Sequence, residues 1–189
     1  MVTLFKKKEP LDTAKKPAFS AREIALVAML TALALAAHAV EALFPPIAAG
    51  FPMKLGLANV FALAALLLFS PREAFLVTVL RCTLGALIMG SPSSLMYSLA
   101  GGLLSVGGMS LALPLLKKDR ISCLGLSVLG AFLFNVGQLG VGTLIVGRGV
   151  VCYLPLMSLF SLPTGLIVGA AAAGSCRVLG RFTQKGAIR

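Results

Sequence analysis

Long apolar runs broken by short polar or proline-bearing stretches make up most of this chain. Six apolar segments can be traced, at 22–44, 54–69, 72–90, 93–116, 121–147 and 149–176. Between them lie Pro45-Pro46, Ser70-Pro71-Arg72-Glu73, Ser91-Pro92, Lys117-Lys118-Asp119-Arg120 and Gly147-Arg148-Gly149, combinations that end helices and open turns. A helix crosses a hydrocarbon core with about 20 apolar residues. The pattern therefore predicts an all-α membrane protein built as a six-transmembrane-helix bundle. Segment two is short, about 23 Å if helical, so it is expected to be tilted, interrupted or seated inside the bundle. Segment six carries Pro155 and Pro163 and is expected to kink.

Composition supports the same class. The chain is 58% hydrophobic and 12% charged, with a mean hydropathy of +0.98; a soluble domain carries about 25% charged residues. Its 189 residues leave little beyond six spans. The net charge of +11 would fit a nucleic-acid partner, but the placement of the charges excludes one. With the N-terminus cytoplasmic, the inside loops and tails hold 14 of the 17 basic residues, leaving Lys54 and Arg148 outside and Arg81 within a span. This is the positive-inside distribution, with both termini cytoplasmic. Residues 1–21 then form a basic N-terminal tail, 22–180 the transmembrane domain and 181–189 a basic C-terminal tail. Segment one has the basic start and Ala37-His38-Ala39 of a cleavable signal, but five further segments follow and the orientation needs the first.

Arg81 is the residue most expected to mark a site. It sits near the middle of an apolar stretch, where a cation costs about 2.5–3.5 kcal/mol and normally faces a partner, a cavity or an anionic ligand. Lys54 opens Lys54-Leu-Gly-Leu-Ala-Asn59 at the start of segment two. It fits an anion site at a helix N-terminus or a lysine snorkelling at the interface. On segment five, Asn135, Gln138 and Gly142 share one face, and two side-chain amides at bilayer depth need partners, either neighbouring helices or a substrate. Segment one has a small-residue stripe, Ala28, Ala32 and Ala36, that permits close helix approach. Thr31, His38 and Glu41 fall on another face; His38 and Glu41 lie near the outer end, where they are either hydrated or part of a site. Ala100-Gly101-Gly102-Leu-Leu-Ser-Val-Gly107-Gly108 lacks the Gly-Lys-Ser/Thr of a P-loop and reads as close helix packing. Cys82, Cys123, Cys152 and Cys176 show no CxxC spacing and read as apolar core residues.

Catalysis finds little support. The acidic residues are Glu9, Asp12, Glu23, Glu41, Glu73 and Asp119, with no pair on a shared membrane face to hold Mg²⁺ on a diphosphate. There is no nucleophile–base pair and no Walker motif, and His38 is the single histidine. No catalytic residue, metal or cofactor is expected.

Several strings together resemble a known family. Glu41 before a proline pair, Lys54-Leu-Gly-Leu-Ala-Asn59, Arg81, Ala100-Gly-Gly-Leu-Leu-Ser105, Asn135-Val-Gly-Gln138 and Tyr153-Leu-Pro-Leu156 resemble the Gx transporter family, whose members are often labelled heptaprenyl diphosphate synthase component I. The resemblance spans about residues 22–180. It departs at Phe134, where the family pattern leads one to expect histidine. That family in turn resembles the six-helix substrate-binding S components of energy-coupling factor transporters. The resemblance implies that an alanine-rich first helix docks on a transmembrane coupling subunit and that ATPase subunits supply the energy; Ala28, Ala32 and Ala36 match that stripe.

The expectation is thus a multi-pass cell-membrane subunit that binds a small or amphipathic, anionic substrate and is energised by partner subunits. Arg81 and Lys54 supply charge; Asn59, Asn135, Gln138 and Glu41 complete the site. A second reading is a non-catalytic membrane component of polyprenyl diphosphate or quinone biosynthesis, and a third is a stand-alone secondary carrier that responds to the proton gradient.

Overall fold

The computed structural model describes residues 21–42, 56–118 and 120–185. They are helical throughout: α1 (Ala21–Ala42), α2 (Asn59–Leu68), α3 (Pro71–Met89), α4 (Pro92–Lys117), α5 (Cys123–Val146), a 3-10 helix (Arg148–Tyr153) and α6 (Leu154–Lys185). Each apolar segment yields one α-helix. The breaks act as the turn chemistry dictates. Pro71 and Pro92 occupy the first turns of α3 and α4, where a missing N–H costs nothing. Ser91 and Ser122 accept from Ser94 N–H and Gly125 N–H, capping α4 and α5. Gly90 ends α3 in the left-handed conformation at φ +61°.

Among the described residues, three helical stretches are long and apolar enough to cross a membrane: Glu23–Glu41, Pro92–Leu116 and Cys123–Val146. A fourth span arises if Arg148–Leu159 and Ser161–Ala172, bent by 48°, are taken together. Pro163 accounts for that bend, since it removes the N–H that would reach the carbonyl of residue 159. α3 carries Arg72, Glu73 and Arg81 within its 19 residues, which weakens its claim as a simple apolar span.

α2 departs furthest from the expected segment 54–69. Its helix has 10 residues, about 15 Å, half a hydrocarbon core. It starts late because Gly56, at φ +81°, makes a turn in which Asn59 N–H donates to Gly56 C=O at 2.9 Å. Ala62, Leu63, Ala64 and Ala65 are fully buried, and α2 packs against each of the other five α-helices. An apolar helix without a polar face is stable only when enclosed, so α2 is the pillar of the core. Val60, Leu63 and Leu66 meet Val77 of α3, Val106 and Met109 of α4, Leu126 of α5 and Val168 of α6 in one cluster.

Glycines set the closest helix contacts. A Cβ on Gly137 of α5 would lie 2.7 Å from Ala100 C=O and from Gly101 Cα of α4; one on Gly101 would lie 2.8 Å from Phe134 C=O. Ala100 and Gly101 therefore make a backbone-to-backbone contact with α5, the packing role read from the sequence. Gly165 of α6 approaches Val128 of α5 in the same way, at 2.6 Å from Cα. By contrast, among the described residues α1 packs on α2 and α3 alone. Its Thr31, His38 and Glu41 are buried, and its Ala28, Ala32 and Ala36 are exposed.

Candidate anion site at the start of α2

Arg81 is 1% exposed. Its Nη2 donates to Asn59 Oδ1 at 3.2 Å, which fixes the guanidinium beside the first residue of α2. Nε, also buried, has no hydrogen-bond partner among the described residues. A guanidinium has five N–H donors and no acceptor, so one neutral amide leaves most of its capacity unused. No carboxylate pairs with it among the described residues. The N-terminus of α2 adds the positive end of a helix dipole at the same place. Two positive sources therefore meet in the buried core.

The surrounding elements explain how Arg81 is held there. Ala74, Val77 and Thr78, one and two turns earlier on α3, are fully buried, and Thr78 returns its hydroxyl to Ala74 C=O at 2.8 Å, so that face of α3 turns inward. Gly102 of α4 gives the guanidinium room: a Cβ there would lie 3.3 Å from Arg81 Nη2 and 2.6 Å from Thr78 Cγ2. On the far side of Asn59, Gly56 N–H donates to Glu41 Oε1. The carboxylate at the end of α1 thus pins the turn that presents Asn59. His38, one turn earlier, lies against α3 at Gly85, where a Cβ would sit 3.1 Å from its ring. Phe134 closes the turn from α5, since a Cβ on Gly56 would meet its ring at 3.0 Å.

Of the residues singled out from sequence, Glu41, Asn59 and Arg81 are joined through the Gly56 turn. Asn135 is buried, and its Nδ2 donates to Met157 C=O of α6 at 2.9 Å, the neighbouring-helix role left open by the sequence. Gln138, one turn later on α5, is fully enclosed. Lys54 lies outside the described residues. Sequence reasoning missed Gly56, Gly102, Ser105 and Ser127. Gly56, Gly102 and Ser105 belong to the family-like strings, but only contacts reveal that Gly56 shapes the turn and Gly102 makes space for Arg81.

The heptaprenyl diphosphate synthase component I family matches residues 30–174, most of the chain and all of the elements around Arg81. The chain belongs to the heptaprenyl diphosphate synthase component I family. The matched region runs from α1 into α6, so the Glu41–Gly56–Asn59–Arg81 arrangement lies wholly within the component I domain. No curated protein and no solved structure matches the chain. The family's name describes one component of a multi-part system, in keeping with a chain that has apolar helices long enough to span a membrane.

Proposed function

We propose that this component I protein is a membrane-embedded subunit that binds a small or amphipathic anion. In this reading it is a six-span, multi-pass cell-membrane protein with both termini cytoplasmic. The observation that carries it is Arg81, a cation held in the core by a neutral amide at a helix N-terminus. A buried charge without an opposite charge is costly, and an anion brought to unused guanidinium donors relieves that cost through charge-assisted hydrogen bonds. Lys54, two positions before Gly56 in the sequence, adds charge in this reading. Gln138 and Asn135 follow as orienting contacts, Asn135 by exchanging Met157 for the ligand. Ala28, Ala32 and Ala36 form the face for a transmembrane coupling subunit, with ATPase subunits supplying energy.

A second reading draws on the family's printed description. The chain would be a non-catalytic membrane component of heptaprenyl diphosphate synthesis, with Arg81 as a diphosphate anchor. One purification separates the two. The protein is isolated from its native membrane in mild detergent, and mass spectrometry identifies both retained small molecules and protein partners, for the native chain and for Arg81→Met. A coupling subunit, ATPases and an anion lost in the variant support the transport reading. A prenyl synthase instead supports the second. An anion retained equally by the variant removes Arg81 from either.

A further inference from the structure

Six hydroxyls in these helices share one habit. Thr31, Thr78, Ser110, Thr143 and Ser158 each donate to the carbonyl four residues earlier, and Ser161 to the carbonyl three earlier. This back-bonding is the ordinary way to satisfy a hydroxyl in an apolar helix. Ser105 of α4 and Ser127 of α5 do not follow it. Both are at least 99% buried, and neither Oγ has a hydrogen-bond partner among the described residues. The two line the same cavity, together with Asn59 and Gly56. Unsatisfied buried hydroxyls cost roughly 1–3 kcal/mol each, so two of them at one internal space call for an occupant.

We propose that a single buried water molecule occupies this cavity and ties α2, α4 and α5 together through Asn59, Ser105 and Ser127. The size fits: the cavity offers about 10 Å³, room for about one water. The donor set fits as well. Asn59 Oδ1 accepts from Arg81 Nη2, and the amide's Nδ2 donor lies beside Gly56, which also lines the cavity. The hydroxyls can each donate or accept. An occupant must therefore accept from Asn59 and exchange hydrogen bonds with both serines. Water does this with its two lone pairs and two protons. A monovalent cation does not, because no carboxylate lines the cavity and Asn59 already carries the field of the Arg81 guanidinium. The remaining walls, Met109, Gly130, Ala131 and Val168, are apolar and confine the molecule to the polar side. This water would fix the Asn59 amide from the side opposite Arg81, and it stands whether or not Arg81 takes an anion.

The sign of a stability change tests the proposal. Ser105→Ala, Ser127→Ala and the double variant are purified as full chains in detergent and melted. With the water present, each single substitution strands it and lowers Tm by roughly 2–4 °C. The second substitution then costs less than half of the first, because the water has already lost its site. With a dry cavity, each substitution removes an unsatisfied hydroxyl and raises Tm. A rise or no change in either single variant overturns the proposal. So does a map of the native protein that resolves other buried waters and shows no density between Asn59, Ser105 and Ser127.

Discussion

Arg81→Met deletes the guanidinium while retaining an unbranched, apolar side chain of similar reach. Two opposing terms set its effect on stability. Removing a cation from this buried, apolar site recovers about 3 kcal/mol, taken from the scale for a cation at bilayer depth. Losing the hydrogen bond to Asn59, with its Oδ1 left bare, costs about 2 kcal/mol, the usual range for a bond to a charged group. The difference is about 1 kcal/mol in favour of the variant, or roughly 2–4 °C in Tm for a chain of this size. Binding should move the other way. Loss of a charge-assisted contact worth about 1.5–3 kcal/mol weakens an anion about 10- to 150-fold. The assay is thermal unfolding in detergent against increasing inorganic diphosphate. At 100 times its Kd a ligand adds about 2.7 kcal/mol to the native protein, and the same concentration should add only about 0.3–1.4 kcal/mol to Arg81→Met. Two results would refute the reasoning. If Arg81→Met loses several kcal/mol or does not fold, Arg81 serves the structure. If diphosphate and other small anions shift both proteins equally, the binding site lies elsewhere.

Three further predictions follow from the packing. Gly137→Ala drives a Cβ into Ala100 C=O and Gly101 Cα at 2.7 Å; backbone cannot yield as a side chain does, so the loss should reach about 3 kcal/mol, read as a fall in Tm. Gly56→Ala combines a left-handed φ of +81°, about 1–2 kcal/mol for a Cβ, with contacts at 3.0 Å to Asn59 and Phe134. It should destabilise by about 2–4 kcal/mol and weaken any Arg81-dependent anion shift, because Asn59 is displaced. Ala32→Leu on the exposed face of α1 should leave Tm within about 0.5 kcal/mol of native while abolishing co-purification of a coupling subunit; unchanged recovery would show that this face is not the docking surface.

Much of the architecture could be read from the chain by itself. Helix number and approximate ends follow from apolar run length and from Pro, Ser and Gly punctuation, which act over a few residues through backbone sterics and capping. The burial of Arg81 followed from its neighbours in sequence, because a cation midway along an apolar helix has few other places to go. Periodicity likewise placed Thr31, His38 and Glu41 on one side of α1 and its alanines on another. Tertiary structure decided the rest. Whether α2 crosses or is enclosed depends on five neighbouring helices, which its own residues do not encode. Asn135 and Asn59 are the same residue type in similar apolar surroundings; one bonds Met157 across a helix pair and the other receives Arg81, a choice made by which element lies opposite. Ser105 and Ser127, 22 positions apart, become one polar site only when α4 and α5 close on each other. Local interactions set the helices; the meeting of groups distant in sequence, on which any binding rests, is a property of the packed bundle.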